Sequence, residues 1–215
     1  MSRNDDLQQV LAAGVVAILR FDRSEPLIDV AEALLAGGVQ AIEITFTVPN
    51  APKVLEQVAN KLGDRILLGA GTVLDTETAR IALLAGARYL VTPTLRREVI
   101  EMCHRYDRLV MPGALTPTEV LTAWEWGADV VKLFPSEITG PRYLKALRGP
   151  LPQVRLMPTG GVSAENVGEY IRAGACAVGV GGTLVDPKLV AAGDFSQISA
   201  RAKNLLEAVR VAREA

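Results

Sequence analysis

Eight short apolar runs punctuate the chain, and each leads into a stretch of helical periodicity. The runs are Val15–Arg20, Ala41–Thr45, Ile66–Gly71, Tyr89–Thr92, Leu109–Pro112, Val130–Phe134, Arg155–Thr159 and Ala177–Gly181. They recur about every 20–28 residues, the step of one strand–helix unit. Runs this short and apolar suit parallel strands buried on both faces. Between them, segments such as Leu27-Ile28-Asp29-Val30-Ala31-Glu32-Ala33-Leu34-Leu35 place apolar residues on one helical face. Gly37-Gly38, Gly86, Gly127 and Gly174 each precede a strand, where glycine suits the left-handed residue that ends a helix. Thr116 and Ser163 read as caps of the helices that follow them.

Alternating units of this kind predict a parallel sheet with helices outside it. Eight of them predict an α/β fold closed as a (β/α)8 TIM barrel. Two further helices, near Leu7–Ala13 and Phe195–Arg213, are expected to flank it. The 215 residues, 49% of them hydrophobic, suffice for one sizeable core, so residues 1–215 read as a single domain. A formal net charge of -1 argues against a nucleic-acid or membrane-surface partner. No apolar run approaches a membrane span, and the polar start lacks the apolar core of a signal peptide. Two cysteines, Cys103 and Cys176, make no disulfide framework, so the cytoplasm is the expected location. The single histidine, His104, reads as a surface residue and cannot supply a zinc site alone, so neither metal nor cofactor is expected.

Two runs carry an ionisable residue where apolar ones belong. Lys132 lies within Val130-Val131-Lys132-Leu133-Phe134, and Glu43 within Ala41-Ile42-Glu43-Ile44-Thr45. Taken singly, the lysine could end its strand with its head in water, and the glutamate could brace the barrel in a structural ion pair. Together they suggest more. A desolvated lysine loses its proton and becomes a nucleophile able to form a Schiff base with a carbonyl. A carboxyl on the barrel's inner face is raised towards the range useful for proton transfer. Gly160-Gly161 and Gly179-Val180-Gly181-Gly182 end the last two runs, where many such barrels hold phosphate.

Five segments, in order, carry a resemblance. They are Ile42-Glu43-Ile44-Thr45-Phe46-Thr47-Val48-Pro49, Gly69-Ala70-Gly71-Thr72-Val73, Met111-Pro112-Gly113, Val131-Lys132-Leu133-Phe134-Pro135 and Pro158-Thr159-Gly160-Gly161-Val162. From about Val15 to the final helix the chain resembles the KHG/KDPG aldolases. The resemblance implies a class I aldolase that cleaves 2-keto-3-deoxy-6-phosphogluconate, or 4-hydroxy-2-oxoglutarate, without metal or cofactor. It implies Lys132 as the Schiff-base lysine and Glu43 as the general acid and base. Gly71, Thr72 and Pro93 would line the pyruvyl end, with Phe134 beside the imine and Thr159 also facing substrate. The phosphate would sit near Gly160, Gly161, Gly181 and Gly182. A homotrimer is implied as well.

One departure stands out. Many members carry arginine where this chain has Thr47, and Arg20 at the end of the first run is the cation offered instead. The rival readings are the galactonate-specific relative, a phosphate-binding epimerase or isomerase, and a non-catalytic sugar-phosphate sensor.

Overall fold

The computed structural model describes residues 2–214, so Met1 and Ala215, the ends of the expected domain, lie outside the described residues. Nine strands follow in chain order: β1 (Val15–Leu19), β2 (Ala41–Thr45), β3 (Leu67–Gly71), β4 (Tyr89–Val91), β5 (Leu109–Met111), β6 (Gly113–Ala114), β7 (Val131–Leu133), β8 (Leu156–Pro158) and β9 (Val178–Val180). All pair in parallel, in a six-stranded sheet of order β5-β4-β3-β2-β1-β9 and a three-stranded sheet of order β6-β7-β8.

The expected parallel α/β arrangement is present, with its strands divided between two curled sheets. Pro112, the last residue of the fifth run, separates β5 from β6, because it has no N–H to give to a ladder. The sheets meet at both edges. At one, the Asp129 and Lys132 N–H groups donate to the Val110 and Pro112 carbonyls at 3.2 and 2.9 Å. At the other, Thr159 and Gly179 form an isolated parallel bridge.

Among the described residues ten α-helices cover the strands: α1 (Arg3–Ala13), α2 (Leu27–Ala36), α3 (Ala51–Leu62), α4 (Thr76–Leu84), α5 (Arg97–Arg105), α6 (Pro117–Glu125), α7 (Ser136–Arg148), α8 (Val167–Arg172), α9 (Pro187–Ala191) and α10 (Phe195–Glu214). Thr116 caps α6 in a reciprocal box with Glu119, as its sequence predicts. Ser163 is not a cap. Asn166 stands before α8 and takes the Ser163 N–H on its side-chain oxygen. Gly37 is right-handed, and the left-handed turn after α2 falls on Gly38. His104 is half-buried, not a surface residue, because its ring occupies the space a side chain at Gly127 would take.

Strand alternation sorts the core into two layers. Ile42, Ile44, Leu68, Leu90 and Val110 face the helices, with α3 contributing Val54, Leu55, Val58 and Leu62. Val16, Ala41, Leu67, Tyr89, Val91, Leu109, Met111 and Met157 face the concave side of the strands. Leu7 and Val10 of α1 complete that second layer and close it at the strands' N-terminal ends. Polar contacts fix this floor: the buried Asp6 pairs with Arg88, and Arg3 meets Asp129 at 2.9 Å.

Candidate active site

Lys132 sits mid-strand in β7, on the same alternating face as Val130, and is only 4% exposed. Its ammonium nitrogen lies 4.9 Å from the centroid of the Phe134 ring. Ser136 secures the end of β7: its hydroxyl donates to the Leu133 carbonyl at 2.7 Å and accepts the Thr159 N–H at 3.0 Å.

Glu43 projects from β2 towards the same interior and is fully buried. Neither of its carboxyl oxygens has a protein hydrogen-bond partner. Burial raises its pKa above the usual carboxylate value, and the opposing pull of Lys132 and Arg20 is smaller. Burial likewise lowers the Lys132 pKa; the Glu43 charge opposes the shift and Arg20 adds to it. Desolvation outweighs attraction at both groups. A neutral amine facing a protonated carboxyl holds as many protons as the ion pair does. Burial thus pushes the Lys132 amine towards its neutral form and the Glu43 carboxyl towards its protonated form.

Arg20 follows β1 at the rim and donates from Nη2 to Thr72 Oγ1 at 3.3 Å. Thr72 holds a left-handed backbone, φ +57°, which is strained for a β-branched residue. Its hydroxyl proton stays free for an incoming acceptor. Gly71 lies against Glu43, because a Cβ there would overlap the carboxyl. Thr47 shares a 2.8 Å hydrogen bond with Thr45, whose hydroxyl donates to the Leu19 carbonyl at 3.2 Å. That chain engages the Thr47 proton within the protein. The Pro93 carbonyl packs against Gly113.

A cavity of about 220 Å³ opens beside this centre. Buried Thr159 and half-buried Phe134 line it within, and Arg20, Gly160, Gly161, Gly181, Gly182 and Thr183 line it towards the exposed rim. Gly160 and Gly161 turn the rim with φ of +99° and +70°, values that favour glycine. The Thr183 hydroxyl donates to the Val162 carbonyl at 2.6 Å and ties the two glycine loops together. The expected residues thus form two groups. Lys132, Glu43 with Gly71 against it, and Thr72 bonded to Arg20 form one, the four glycines and Thr159 line the cavity, and Arg20 and Phe134 link the two. Thr47 and Pro93 do not line the cavity.

Sequence reasoning assigned no site role to Thr45, Ser136 or Thr183. Ser136 had a signal, since a serine directly after Phe134-Pro135 stands where a strand end needs a cross-link.

Residues 7–201 match the family model described as KDPG and KHG aldolase. The chain belongs to that family. This aldolase is 36% identical over 201 residues to the 2-dehydro-3-deoxy-phosphogluconate aldolase of Treponema pallidum, covering 92% of this chain and 94% of that protein. It is 36% identical over 171 residues to the 2-dehydro-3-deoxy-6-phosphogalactonate aldolase of Escherichia coli, covering 79% and 83%. Among solved structures, the KDPG aldolase of Legionella pneumophila superposes with a TM-score of 0.86 at 31% identity, over 93% of this chain and 97% of that one. That crystal holds pyruvate as a covalent carbinolamine. A cube-shaped cage designed by fusing symmetric oligomeric domains contains a similar chain, with a TM-score of 0.84 at 33% identity over 94% of this chain and 73% of that one.

Proposed function

We propose that this protein is a class I aldolase that cleaves 2-keto-3-deoxy-6-phosphogluconate to pyruvate and glyceraldehyde 3-phosphate. The observation that carries the reading is Lys132 buried on the concave face, beside an equally buried Glu43. Neutral Lys132 attacks the C2 ketone, and Glu43 supplies the proton with which the carbinolamine loses water. The iminium then draws electrons from the C3–C4 bond. That bond breaks as the carboxylate form of Glu43 takes the C4 hydroxyl proton, and the aldehyde departs. The enamine is protonated at C3, and hydrolysis of the resulting iminium frees pyruvate and Lys132.

Arg20, steadied by Thr72, supplies the charge for the substrate carboxylate. The glycine-rimmed cavity supports a phosphate site at Gly160, Gly161, Gly181 and Gly182. Both groups of residues are needed for one substrate that carries a carboxylate at one end and a phosphate at the other. Kinship with both gluconate- and galactonate-type aldolases leaves the C4 configuration to a substrate panel in a pyruvate-coupled assay.

The same reading treats residues 1–215 as one domain and the two sheets as one (β/α)8 barrel. The hydrogen bonds to Val110 and Pro112 and the Thr159–Gly179 bridge support that closure. It also proposes a homotrimer. Leu74, Ile81 and Leu84, 47–69% exposed at and along α4, support an apolar face for a second copy, and sedimentation tests it. Among the described residues no helix is long and apolar enough to cross a membrane. The proposed location is the cytoplasm, where charged sugar-acid phosphates are confined.

The decisive test is covalent capture. The protein is incubated with pyruvate, reduced with borohydride, digested and mapped by mass spectrometry. An adduct on Lys132 is expected. An adduct confined to Lys53, Lys61, Lys145 or Lys188 would end the assignment.

A further inference from the structure

Glu43 belongs to a row that runs straight across three strands. It pairs with Gly69 of β3, and Gly69 pairs with Tyr89 of β4. Residues paired this way share one face of the sheet. Gly69 gives that row no side chain. A Cβ built on it would overlap the Tyr89 ring. The ring therefore lies across Gly69, on the side of the strand that carries Glu43.

Tyr89 is fully buried, and its hydroxyl has no protein hydrogen-bond partner. Its side chain packs in a cluster with Leu67, Val91, Leu109, Met111 and Met157, which offer no side-chain oxygen. A buried phenol hydroxyl usually finds a partner, and a water bridging two such groups is the common solution. Both Glu43 oxygens are buried and without protein partners in the same interior. The groups whose charge acts on Glu43 are Lys132 of β7 and Arg20 beyond β1; the Glu43 charge in turn acts on Tyr89 of β4. That charge and burial together keep the phenol protonated, and so a donor.

We propose that one internal water joins the Tyr89 hydroxyl to the Glu43 carboxyl, which makes Tyr89 a positioning residue for Glu43. A donor held there favours the carboxylate and fixes its orientation. A phenylalanine would fill the same space and leave the carboxyl untethered. The consequence for catalysis rests on the aldolase reading above, but the link itself does not.

The test is Tyr89→Phe in the full-length protein. Infrared difference spectra of each protein against its Glu43→Gln counterpart isolate the Glu43 carboxyl band, which is titrated with pH. Tyr89→Phe is expected to stay folded and to move the Glu43 midpoint up by about one pH unit, because a donor to the carboxylate is lost. The limb of the kcat/KM profile that vanishes in Glu43→Gln moves with it. An unshifted midpoint overturns the link, even where Tm falls, since packing alone would lower Tm without touching the titration. A shifted midpoint together with fast turnover in Glu43→Gln upholds the link and removes Glu43 from the chemistry, so the two failures are told apart.

Discussion

Glu43 and Gly71 contend for one volume: the space a methyl group would take at position 71 is filled by the Glu43 carboxyl. Gly71 is therefore the seat of the Glu43 carboxyl. Its φ lies outside the left-handed region, so alanine is tolerated by the backbone and acts through the carboxyl alone. Gly71→Ala should fold and lose turnover towards the level of Glu43→Gln, roughly 10²–10⁴-fold. Steady-state pyruvate release measures it. Wild-type kcat in folded Gly71→Ala would mean that the carboxyl can work from elsewhere.

Arg20 is expected to behave as a fork and not as a point charge. Arg20→Ala should lower kcat/KM by roughly ten- to a hundred-fold, the usual loss for a charged hydrogen-bonding group. Arg20→Lys should recover little, because an ammonium cannot hold Thr72 and a carboxylate in one plane. Thr47→Arg in the Arg20→Ala background should restore part of the activity. Unchanged pyruvate trapping in Arg20→Ala would assign the carboxylate to other donors.

The proposed phosphate rim can be probed without disturbing the fold. Gly182 has open space around its would-be Cβ and no left-handed φ, whereas Gly161 is left-handed and presses on Glu137. Gly182→Val should therefore keep the wild-type Tm. KM for the phosphorylated substrate should rise, while cleavage of 4-hydroxy-2-oxoglutarate stays nearly unchanged. Equal losses on both substrates would move the phosphate away from this rim.

The buried pair should also cost stability, with opposite pH dependences. The folded Glu43 pKa lies above the usual 4.5, so its carboxyl contributes most below that value and loses the contribution as pH rises through the folded pKa. The Tm advantage of Glu43→Gln should therefore grow over that window. The folded Lys132 pKa lies below the usual 10.5, so its amine contributes fully only above that value and loses the contribution as pH falls through the folded pKa. The advantage of Lys132→Met should shrink as pH rises towards 10.5. Each kcal/mol relieved corresponds to about 2–4 °C in a chain of this size. Calorimetry across pH reads both slopes, and parallel slopes would contradict the assignment.

The strands were legible because parallel strands buried on both faces must be continuous apolar runs. Their ends were less so: Ile66, Val130 and Arg155 fall just outside the strands they were assigned to. The break at Pro112 depends on which N–H groups a ladder needs, and that is set by the neighbouring strand. Lys132 and Glu43 declared themselves because charge inside an apolar run is costly and rarely idle. Tyr89 and Thr45 did not, since a hydroxyl-bearing residue in a strand looks like ordinary packing. Their partners are fixed by register across strands, which no spacing along one strand reveals.

The floor made by Leu7 and Val10 has a kinetic meaning. It turns the interior into a cul-de-sac, with Lys132 set deep and the glycine rim at the mouth. On the proposed reading, a group bonded to the buried Lys132 lies behind one resting on the exposed rim. On the reading proposed above, departure is then ordered: the phosphorylated aldehyde leaves first, and pyruvate follows only after it. On the same reading, pyruvate is expected to load before the aldehyde in the condensation direction, and an aldehyde that arrives early to block the way in.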